Sequence, residues 1–176
     1  MSQQLSYTVF QTDAGWMAML ASERGLTRAT LPHPSADEAL KALGERKHQA
    51  IRNDERFTDL VTRLQGYFRG EKLSFTDSLD LSGGTPFQCA VWEGTRRIPY
   101  GETRSYGELA EEIGRPGAAR AVGQAMNRNP VAIIIPCHRV VASGGKLGGF
   151  GNRLDLKWSL LSLEANNGFP PDYPKS

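Results

Sequence analysis

The sequence predicts an α+β protein, with an N-terminal three-stranded antiparallel sheet and helices, then a mostly helical C-terminal domain with a helix-turn-helix and a short strand pair. Three observations lead to this fold class. Alternating apolar and polar residues recur within the first 31 positions, as is typical of half-buried strands. Apolar residues at helical spacing then follow strong helix-start signals. Finally, a β-branched run at residues 133–135 stops at a proline, which predicts one more strand.

The composition is that of an ordinary globular protein. Its 176 residues suffice for one large domain or two small ones, and 39% of them are hydrophobic. No apolar run approaches the length of a membrane span, and the polar first ten residues lack the pattern of a signal peptide. Two cysteines, Cys89 and Cys137, predict neither a disulfide framework nor a zinc site. We therefore expect a cytoplasmic protein without membrane contact, metal or cofactor.

The N-terminal part predicts three strands and two helices. The strands, which form an antiparallel meander, cover residues 5–9, 16–21 and 26–31. Ser35, with Glu38 three positions later, forms a capping box that begins the first helix. The second helix carries an apolar stripe at helical spacing, which consists of Phe57, Leu60, Val61, Leu64, Tyr67 and Phe68.

The best domain boundary is Ser82-Gly83-Gly84, which is short and coincides with a change of charge. We predict an α/β supporting domain over residues 1–84 and a second domain over residues 85–176, with a flexible tail from about residue 166. The first part carries 10 Lys/Arg against 11 Asp/Glu, and the second carries 11 against 8. Between Arg96 and Arg153 the count is 9 against 4, which fits a phosphate-facing surface or a solvated face with scattered arginines.

Three helices are predicted early in the second domain. The first begins at Thr85, with a proline at its first position. The second begins at the capping box of Ser105 and Glu108, and the turn of residues 115–117 leads to a third over residues 118–127. Helix, tight turn and helix together form a helix-turn-helix.

The third helix is unusual because its residues are almost all small. Its small residues are Ala118, Ala119, Ala121, Val122, Gly123 and Ala125, and Arg120 is the bulky residue that it exposes. Such a helix can pack inside a core, or its backbone can approach another surface closely. The lone Arg120 on an Ala/Gly face favours the second interpretation.

The run that ends in Pro136 presents a cysteine at a chain turn. Residues 133–135 predict a strand packed on both faces, and Pro136 cannot extend it, so the chain must turn at Cys137. His138 and Arg139 follow directly, and groups of this kind lower the pKa of a cysteine and favour the nucleophilic thiolate. The alternative is a core cysteine followed by a surface His-Arg pair.

A glycine-rich loop and a last helix complete the chain. The loop, residues 143–151, lacks both the Walker spacing and the dinucleotide fingerprint. Its glycines allow tight turns and close approach to a flat ligand. Asn152 with Asp155 is expected to cap the last helix, which has Glu164 near its end.

The segment Pro136-Cys137-His138-Arg139-Val140 resembles the active-site signature of the O6-alkylguanine-DNA alkyltransferases, also called methylated-DNA–protein-cysteine methyltransferases. The resemblance covers roughly residues 85–164. It implies DNA repair by direct reversal: the alkyl group of O6-alkylguanine is transferred irreversibly to Cys137, once per molecule. O4-alkylthymine stays open as a second substrate.

The resemblance also implies roles for the residues around the thiol. His138 draws the thiol proton through a water and is held by Glu164, while Asn129 links the recognition helix to the active-site strand. The Tyr106 hydroxyl stabilises the leaving guanine. The base pocket then consists of Val140, Phe150, Gly151, Asn152 and Arg139.

For DNA, the resemblance implies double-stranded DNA with an alkylated guanine as the partner of a monomer, with cooperative binding left open. The helix-turn-helix would lie in the minor groove, and Arg120 would fill the gap left by a flipped base. Close approach would use Ala118, Ala119, Ala121 and Gly123. Ser105, Tyr106 and Ser143 are the remaining residues expected at the DNA.

Some positions depart from the family pattern. Phe150 stands where members commonly carry tyrosine, and Asn152 stands where glycine is common. Because Phe150 has no hydroxyl, other donors, such as the Gly151 N–H, would have to stabilise the leaving group. Asn152 would restrict bulky alkyl groups. The N-terminal half resembles the family only in general layout and lacks the cysteines with which some members bind zinc.

Three other functions compete with this interpretation. Alkyltransferase-like proteins bind alkylated bases without reacting, but they replace the reactive cysteine, which is present here as Cys137. A helix-turn-helix regulator would need base-reading side chains, which an Ala/Gly face does not supply. A thiol hydrolase would need a direct Cys137–His138 dyad, although adjacent residues of a strand point to opposite faces.

Overall fold

The structure, a computed structural model, describes residues 4–151 and 153–165. The chain forms two compact units, and each interrupts the other in sequence: the first comprises Met1–Gly83 and Pro130–Ile134, and the second comprises Gly84–Asn129 and Ile135–Ser176. The sequence did not predict that residues 130–134 belong to the first unit. The cap expected at Asn152 and the tail from residue 166 lie outside the described residues.

The first unit is built on a mixed sheet. Its strands are β1 (Leu5–Thr12), β2 (Gly15–Ser22), β3 (Gly25–Ala29) and β4 (Ala50–Arg52), in the order β3-β2-β1-β4. The predicted antiparallel meander of the first three strands is confirmed. The sequence missed β4, which pairs parallel with β1, because three residues are too short to show an alternation.

Two helices accompany this sheet. Helix α1 (Ala36–Ala42) is capped by Ser35, whose side chain accepts from the Glu38 N–H, as predicted. Helix α2 (Thr58–Phe68) buries most of the predicted apolar stripe. One core cluster lies between α1 and the sheet and contains Leu5, Ala18, Leu20, Ala39 and Leu43.

The apolar run before the cysteine is buried, but the predicted strand is wrong. Residues 131–135 are at most 6% exposed, and the run makes an isolated bridge to β3, between Val131 and Ala29. Ile133 has a φ of 71°, which reverses the chain and is costly for a β-branched residue. A short apolar run has the same pattern in a buried strand and in a buried turn, so the sequence could not separate them.

The second unit contains four helices and a short strand pair within its described residues. The helices are α3 (Pro86–Arg96), α4 (Tyr106–Glu112), α5 (Ala119–Asn127) and α6 (Leu154–Ala165). The helix starts predicted at Thr85 and Ser105 are confirmed, and both are capping boxes. Strands β5 (Arg104–Ser105) and β6 (Val140–Val141) pair in parallel, which places the start of α4 beside the segment that follows Cys137.

No described helix is both long and apolar enough to cross a lipid bilayer.

Candidate active site

Cys137 opens a short 3-10 turn at the start of the active-site segment. The turn covers Cys137–Arg139, directly after Pro136 and before β6. Pro136 therefore ends the apolar run at the thiol, and the predicted turn is confirmed. Cys137 as a residue is partly exposed, although burial dominates the environment of its thiol.

The environment of Cys137 contains opposing influences on its thiol. Burial raises the pKa, whereas a hydrogen bond from Asn129, the charge of Lys157 and the backbone N–H groups of Cys137 and His138 lower it. Burial is the largest influence, so the pKa lies above its ordinary value. This differs from the lowered pKa that the sequence led us to expect, and it means that a base must remove the thiol proton at neutral pH.

His138 follows Cys137 in the turn and is buried. Its ring is 1% exposed, and its Nε2 lies 2.6 Å from Oε2 of Glu164 on α6. Burial lowers the pKa of His138, against the opposing effect of the carboxylate, so the imidazole is neutral at pH 7. With an Nε2 proton directed at Glu164, Nδ1 carries the lone pair that can accept a proton.

Arg139, which was predicted for the base pocket, is buried and paired with Glu164. Its Nε and Nη2 donate to the Glu164 carboxylate at 2.8 and 3.1 Å, and its Nη1 donates to the Ile98 carbonyl at 2.8 Å. The guanidinium also lies 5.7 Å from the ring centroid of Tyr100. A buried cation requires hydrogen-bond acceptors and an opposite charge. Arg139 finds them in Glu164 and in the groups next to Glu164.

Asn129 joins the end of the recognition helix to the thiol. It lies two residues beyond α5, and its Nδ2 donates to the Ile135 carbonyl at 2.9 Å. Its side chain also makes the hydrogen bond that favours the Cys137 thiolate. The residue thus has the linking position that the resemblance implied.

Lys157 is the site residue that the sequence analysis missed. Its side chain on α6 is fully buried, and its Nζ donates to the carbonyls of Val140 at 2.7 Å and Gly149 at 3.1 Å. Burial lowers the pKa of Lys157 to about 8, and its charge acts on Cys137. A lysine inside the leucine-rich stretch of α6 was the available signal, because such a residue must find partners when it is buried.

One wall of the site is built by Tyr106 and the glycine-rich loop. The Tyr106 hydroxyl accepts from the Gly149 N–H at 3.1 Å, and burial raises its pKa. Gly148 has a φ of 77°, and a Cβ there would lie 2.7 Å from the Tyr106 hydroxyl. The Lys157 Nζ lies 5.9 Å from the ring centroids of both Tyr106 and Phe150, so these residues surround one cation.

The predicted DNA-facing residues lie mainly on and beside α5. Arg120 is exposed, while Val122, Ala125 and Met126 form the buried face. The small residues Ala118, Ala119, Ala121 and Gly123 are partly exposed. A Cβ on Gly123 would come 3.8 Å from the Tyr106 ring, so this glycine also gives room to the site.

The other predicted residues lie at the edges of the site. The Ser105 hydroxyl caps α4 by accepting from the Glu108 N–H at 3.0 Å. Ser143 and Gly151 are exposed on the glycine-rich loop, and Asn152 lies outside the described residues. Among the described residues, no group of three His, Cys, Asp or Glu side chains could hold a metal ion.

Two family descriptions match most of the chain. Residues 86–166 match the DNA binding domain of 6-O-methylguanine DNA methyltransferase, and residues 5–81 match its ribonuclease-like domain.

Known proteins give the same result. The chain is 42% identical over 164 residues to a methylated-DNA–protein-cysteine methyltransferase of Methanosarcina acetivorans, covering 91% of this chain and 98% of that protein. The protein of that name from Mycobacterium leprae is 56% identical over 108 residues, covering 61% of this chain and 65% of the relative. Mycobacterium tuberculosis OGT in complex with DNA matches with a TM-score of 0.78 and 40% identity, covering 93% of this chain and 95% of that chain.

Proposed function

The chain belongs to the 6-O-methylguanine DNA methyltransferase family, and from this membership we propose that Cys137 is the residue that accepts the alkyl group. The family, the α+β fold class and the reaction class predicted from the sequence are confirmed: the chain is a DNA-repair enzyme that transfers an alkyl group from DNA to a protein cysteine. The choice of Cys137 is supported by its partly exposed position and by the buried His138–Glu164 pair that begins at the next residue.

The observation that carries the mechanism is the 2.6 Å contact between His138 and Glu164 next to a thiol of raised pKa. The thiol proton passes to Nδ1 of His138 through one water, and the Glu164 carboxylate stabilises the imidazolium that forms. This is the nucleophile, base and orienter arrangement of cysteine chemistry. The sulfur of Cys137 then attacks the alkyl carbon, and a thioether forms.

The bond between the alkyl carbon and guanine O6 breaks, and its electron pair leaves with the guanine. Donors aimed at the developing charge lower the barrier. The Tyr106 hydroxyl is suited to this role because it accepts from the Gly149 N–H, which leaves its own proton able to point at the base. The Gly151 N–H is the second candidate donor. The departing guanine takes up a proton, so the net reaction exchanges a thiol proton for an alkyl group.

Recognition of guanine uses backbone carbonyls of the active-site segment. The carbonyls of Cys137 and Val140 accept from the 2-amino group of guanine, and adenine has no amino group at that position. The Val140 oxygen already accepts from Lys157 at 2.7 Å, and its second lone pair serves the base. Phe150 packs against the flat face of the base.

The DNA is held by the helix-turn-helix of α4 and α5. The small residues of α5 allow its backbone to approach the minor groove, and the exposed Arg120 enters the base stack where the alkylated guanine has flipped out. Flipping costs a few kcal/mol, which the inserted arginine partly offsets. The protein acts as a monomer on double-stranded DNA and reacts once, because no group of the site is suited to cleave a thioether.

Intact mass spectrometry tests this function directly. The full-length protein is mixed with an excess of duplex that contains one O6-methylguanine. One added methyl group per molecule, located on Cys137 by peptide mapping, is the expected result, and Cys89→Ser serves as a control that still reacts. Methylation elsewhere would contradict the assignment of Cys137.

The same experiment separates the competing functions. Tight binding of the lesion without a mass change would indicate a non-reacting damage sensor. Turnover of more than one methyl group per molecule would indicate an enzyme that regenerates its thiol, which the proposed function excludes.

A further inference from the structure

The carboxylate of Glu164 is the centre of a buried charge cluster. Its two oxygens accept from His138 Nε2 at 2.6 Å, from Arg139 at 2.8 and 3.1 Å, and from the Gly101 N–H at 3.1 Å. The three charged or titratable members are 6%, 1% and 7% exposed for Glu164, His138 and Arg139. The remaining Arg139 nitrogen, Nη1, is held by the Ile98 carbonyl at 2.8 Å. The guanidinium is therefore fixed from both sides.

A carboxylate in contact with a histidine stabilises the imidazolium that forms during the reaction, but it also favours that cation before the reaction begins. An anion at hydrogen-bond distance favours the protonated imidazole, and an imidazolium has no lone pair with which to accept a thiol proton. Arg139 supplies a permanent positive charge to the same carboxylate in a bidentate geometry. The negative charge of Glu164 is thus balanced without a proton on His138.

We propose that Arg139 is a positioning residue that balances the charge of Glu164 and fixes its orientation, so that His138 remains an uncharged base for Cys137. This inference rests on the proposed function, since it concerns the base of the same reaction. Arg139 acts through Glu164 and does not touch the reacting atoms.

The other groups that face His138 agree with this assignment. Lys157 is the second cation that disfavours protonation of the imidazole, and the Cys137 thiol is uncharged at neutral pH because of its raised pKa. Tyr100, against the opposite face of Arg139, has a pKa raised by burial and then by Glu164, so it is neutral. Glu164 is therefore the only anion among the groups that act on His138 in the described residues.

The rate of methyl transfer as a function of pH tests the proposal. Single-turnover rates are measured on full-length protein with an O6-methylguanine duplex between about pH 5 and 9, for the wild type, Arg139→Met and Arg139→Lys. In Arg139→Met the fall of the rate on the acid side should move to higher pH by about one unit or more, because Glu164 then favours the charged His138. Above about pH 8 the rates of Arg139→Met and the wild type should approach each other. In Arg139→Lys, which keeps a cation, the rate should fall on the acid side at about the same pH as in the wild type. A uniform loss of rate at every pH would overturn the proposal.

A double variant controls for damage to the fold. Removing one member of a buried ion pair leaves the other charge unpaired, whereas removing both is milder. Arg139→Met combined with Glu164→Gln should return the acid-side fall to a pH below that of Arg139→Met alone. A double variant that keeps the shifted profile would show that the shift does not come from Glu164 and would overturn the proposal.

Imidazole NMR gives a readout that does not depend on catalysis. The chain has three histidines, His33, His48 and His138, so each titration can be followed separately. The midpoint of His138 should rise in Arg139→Met, while the other two stay constant; an unchanged His138 midpoint would overturn the proposal. If the wild type itself transferred no methyl group, the proposed function would fail, and the NMR titration would still decide the role of Arg139.

Discussion

At the scale of single residues, Lys157 is the group with the most unusual environment. It is a fully buried lysine whose pKa is lowered to about 8 by burial and whose charge acts on Cys137. Below pH 8 it is a cation that stabilises the thiolate, and above pH 8 this effect is lost. The same residue therefore supports the reaction and opposes the stability of the fold.

For the reaction, we expect Lys157→Met to slow methyl transfer at pH 7 by about tenfold or more, since about 1.4 kcal/mol of charge stabilisation corresponds to tenfold. The difference from the wild type should shrink as the pH rises from 7 to 9.5, because the wild-type lysine then loses its charge. Single-turnover rates measure this, with the exposed Lys146→Met as the matched control. A rate ratio that does not change with pH would contradict the electrostatic role.

For stability, the lowered pKa of Lys157 means that the folded state binds fewer protons than the unfolded state between about pH 8 and 10.5. Wild-type stability therefore gains about 3 kcal/mol from this residue as the pH rises through that interval. The unfolding free energy of Lys157→Met, measured by denaturant titration relative to the wild type, should decline by a similar amount over the same interval. A constant difference would show that Lys157 keeps its ordinary pKa.

At the scale of elements, the proposed function assigns the approach of the alkylated guanine to α5 and the glycine-rich loop. The buried face of the helix consists of Val122, Ala125 and Met126. Its outer face carries the exposed Arg120. The loop holds Tyr106 through Gly148 and Gly149. Each element can be tested with a variant and a matched control from the same element.

Arg120→Ala should slow repair of an O6-methylguanine duplex by about tenfold or more, because the arginine no longer offsets an unstacking cost of a few kcal/mol. Transfer from free O6-benzylguanine, which needs no flipping, should change little. Arg128→Ala removes an equal charge next to the end of α5 and serves as the control. Equal losses on both substrates would contradict the insertion of Arg120.

Gly148→Ala should slow methyl transfer much more than Gly145→Ala. Both glycines have a left-handed backbone, with φ of 77° and 78°, so a side chain costs each of them about 1–2 kcal/mol. Only at Gly148 would the new Cβ also collide with the Tyr106 hydroxyl, whereas nothing lies within 4 Å at Gly145. The transfer rates of the two variants measure this difference, and their melting temperatures show whether each is folded. Equal rates would show that the contact between Gly148 and Tyr106 does not affect methyl transfer.

At the scale of the whole molecule, a net charge of +2 conceals a basic segment between Arg96 and Arg153. Phosphate contacts release counterions, so duplex affinity should fall by about tenfold or more between 50 and 200 mM salt. Fluorescence anisotropy with a labelled duplex measures this, and the transfer rate from free O6-benzylguanine should be nearly independent of salt. A flat salt dependence of duplex binding would contradict phosphate contacts.

The features predicted correctly are those that depend on near neighbours in the chain. The capping boxes at Thr85 and Ser105 and the turn at Pro136 need only a few adjacent residues. The features that the sequence analysis missed depend on distant partners: the sequence could not show the turn at Ile133 or the pairing of Arg139 with Glu164.

Lys157 was missed for a related reason. Apolar residues occur on every side of α6, so no single face of the helix could be identified as the buried one. The lysine could be recognised only once its carbonyl partners, Val140 and Gly149, were seen to converge on it.

The five residues 130–134 have a practical consequence for protein engineering. Their backbone forms hydrogen bonds with β3: the Ala29 N–H donates to the Pro130 carbonyl at 2.9 Å, and the Ala29 carbonyl accepts from the Ala132 N–H at 3.0 Å. A gene fragment that begins at codon 84 would encode Cys137 and the site residues described around it, but it would omit Ala29. The peptide that leads to the reactive thiol would then have to find other partners or remain in water. The part of the chain from residue 84 onward is thus not expected to work as an independent domain. A minimal self-labelling tag made from it would need a redesigned segment before Cys137.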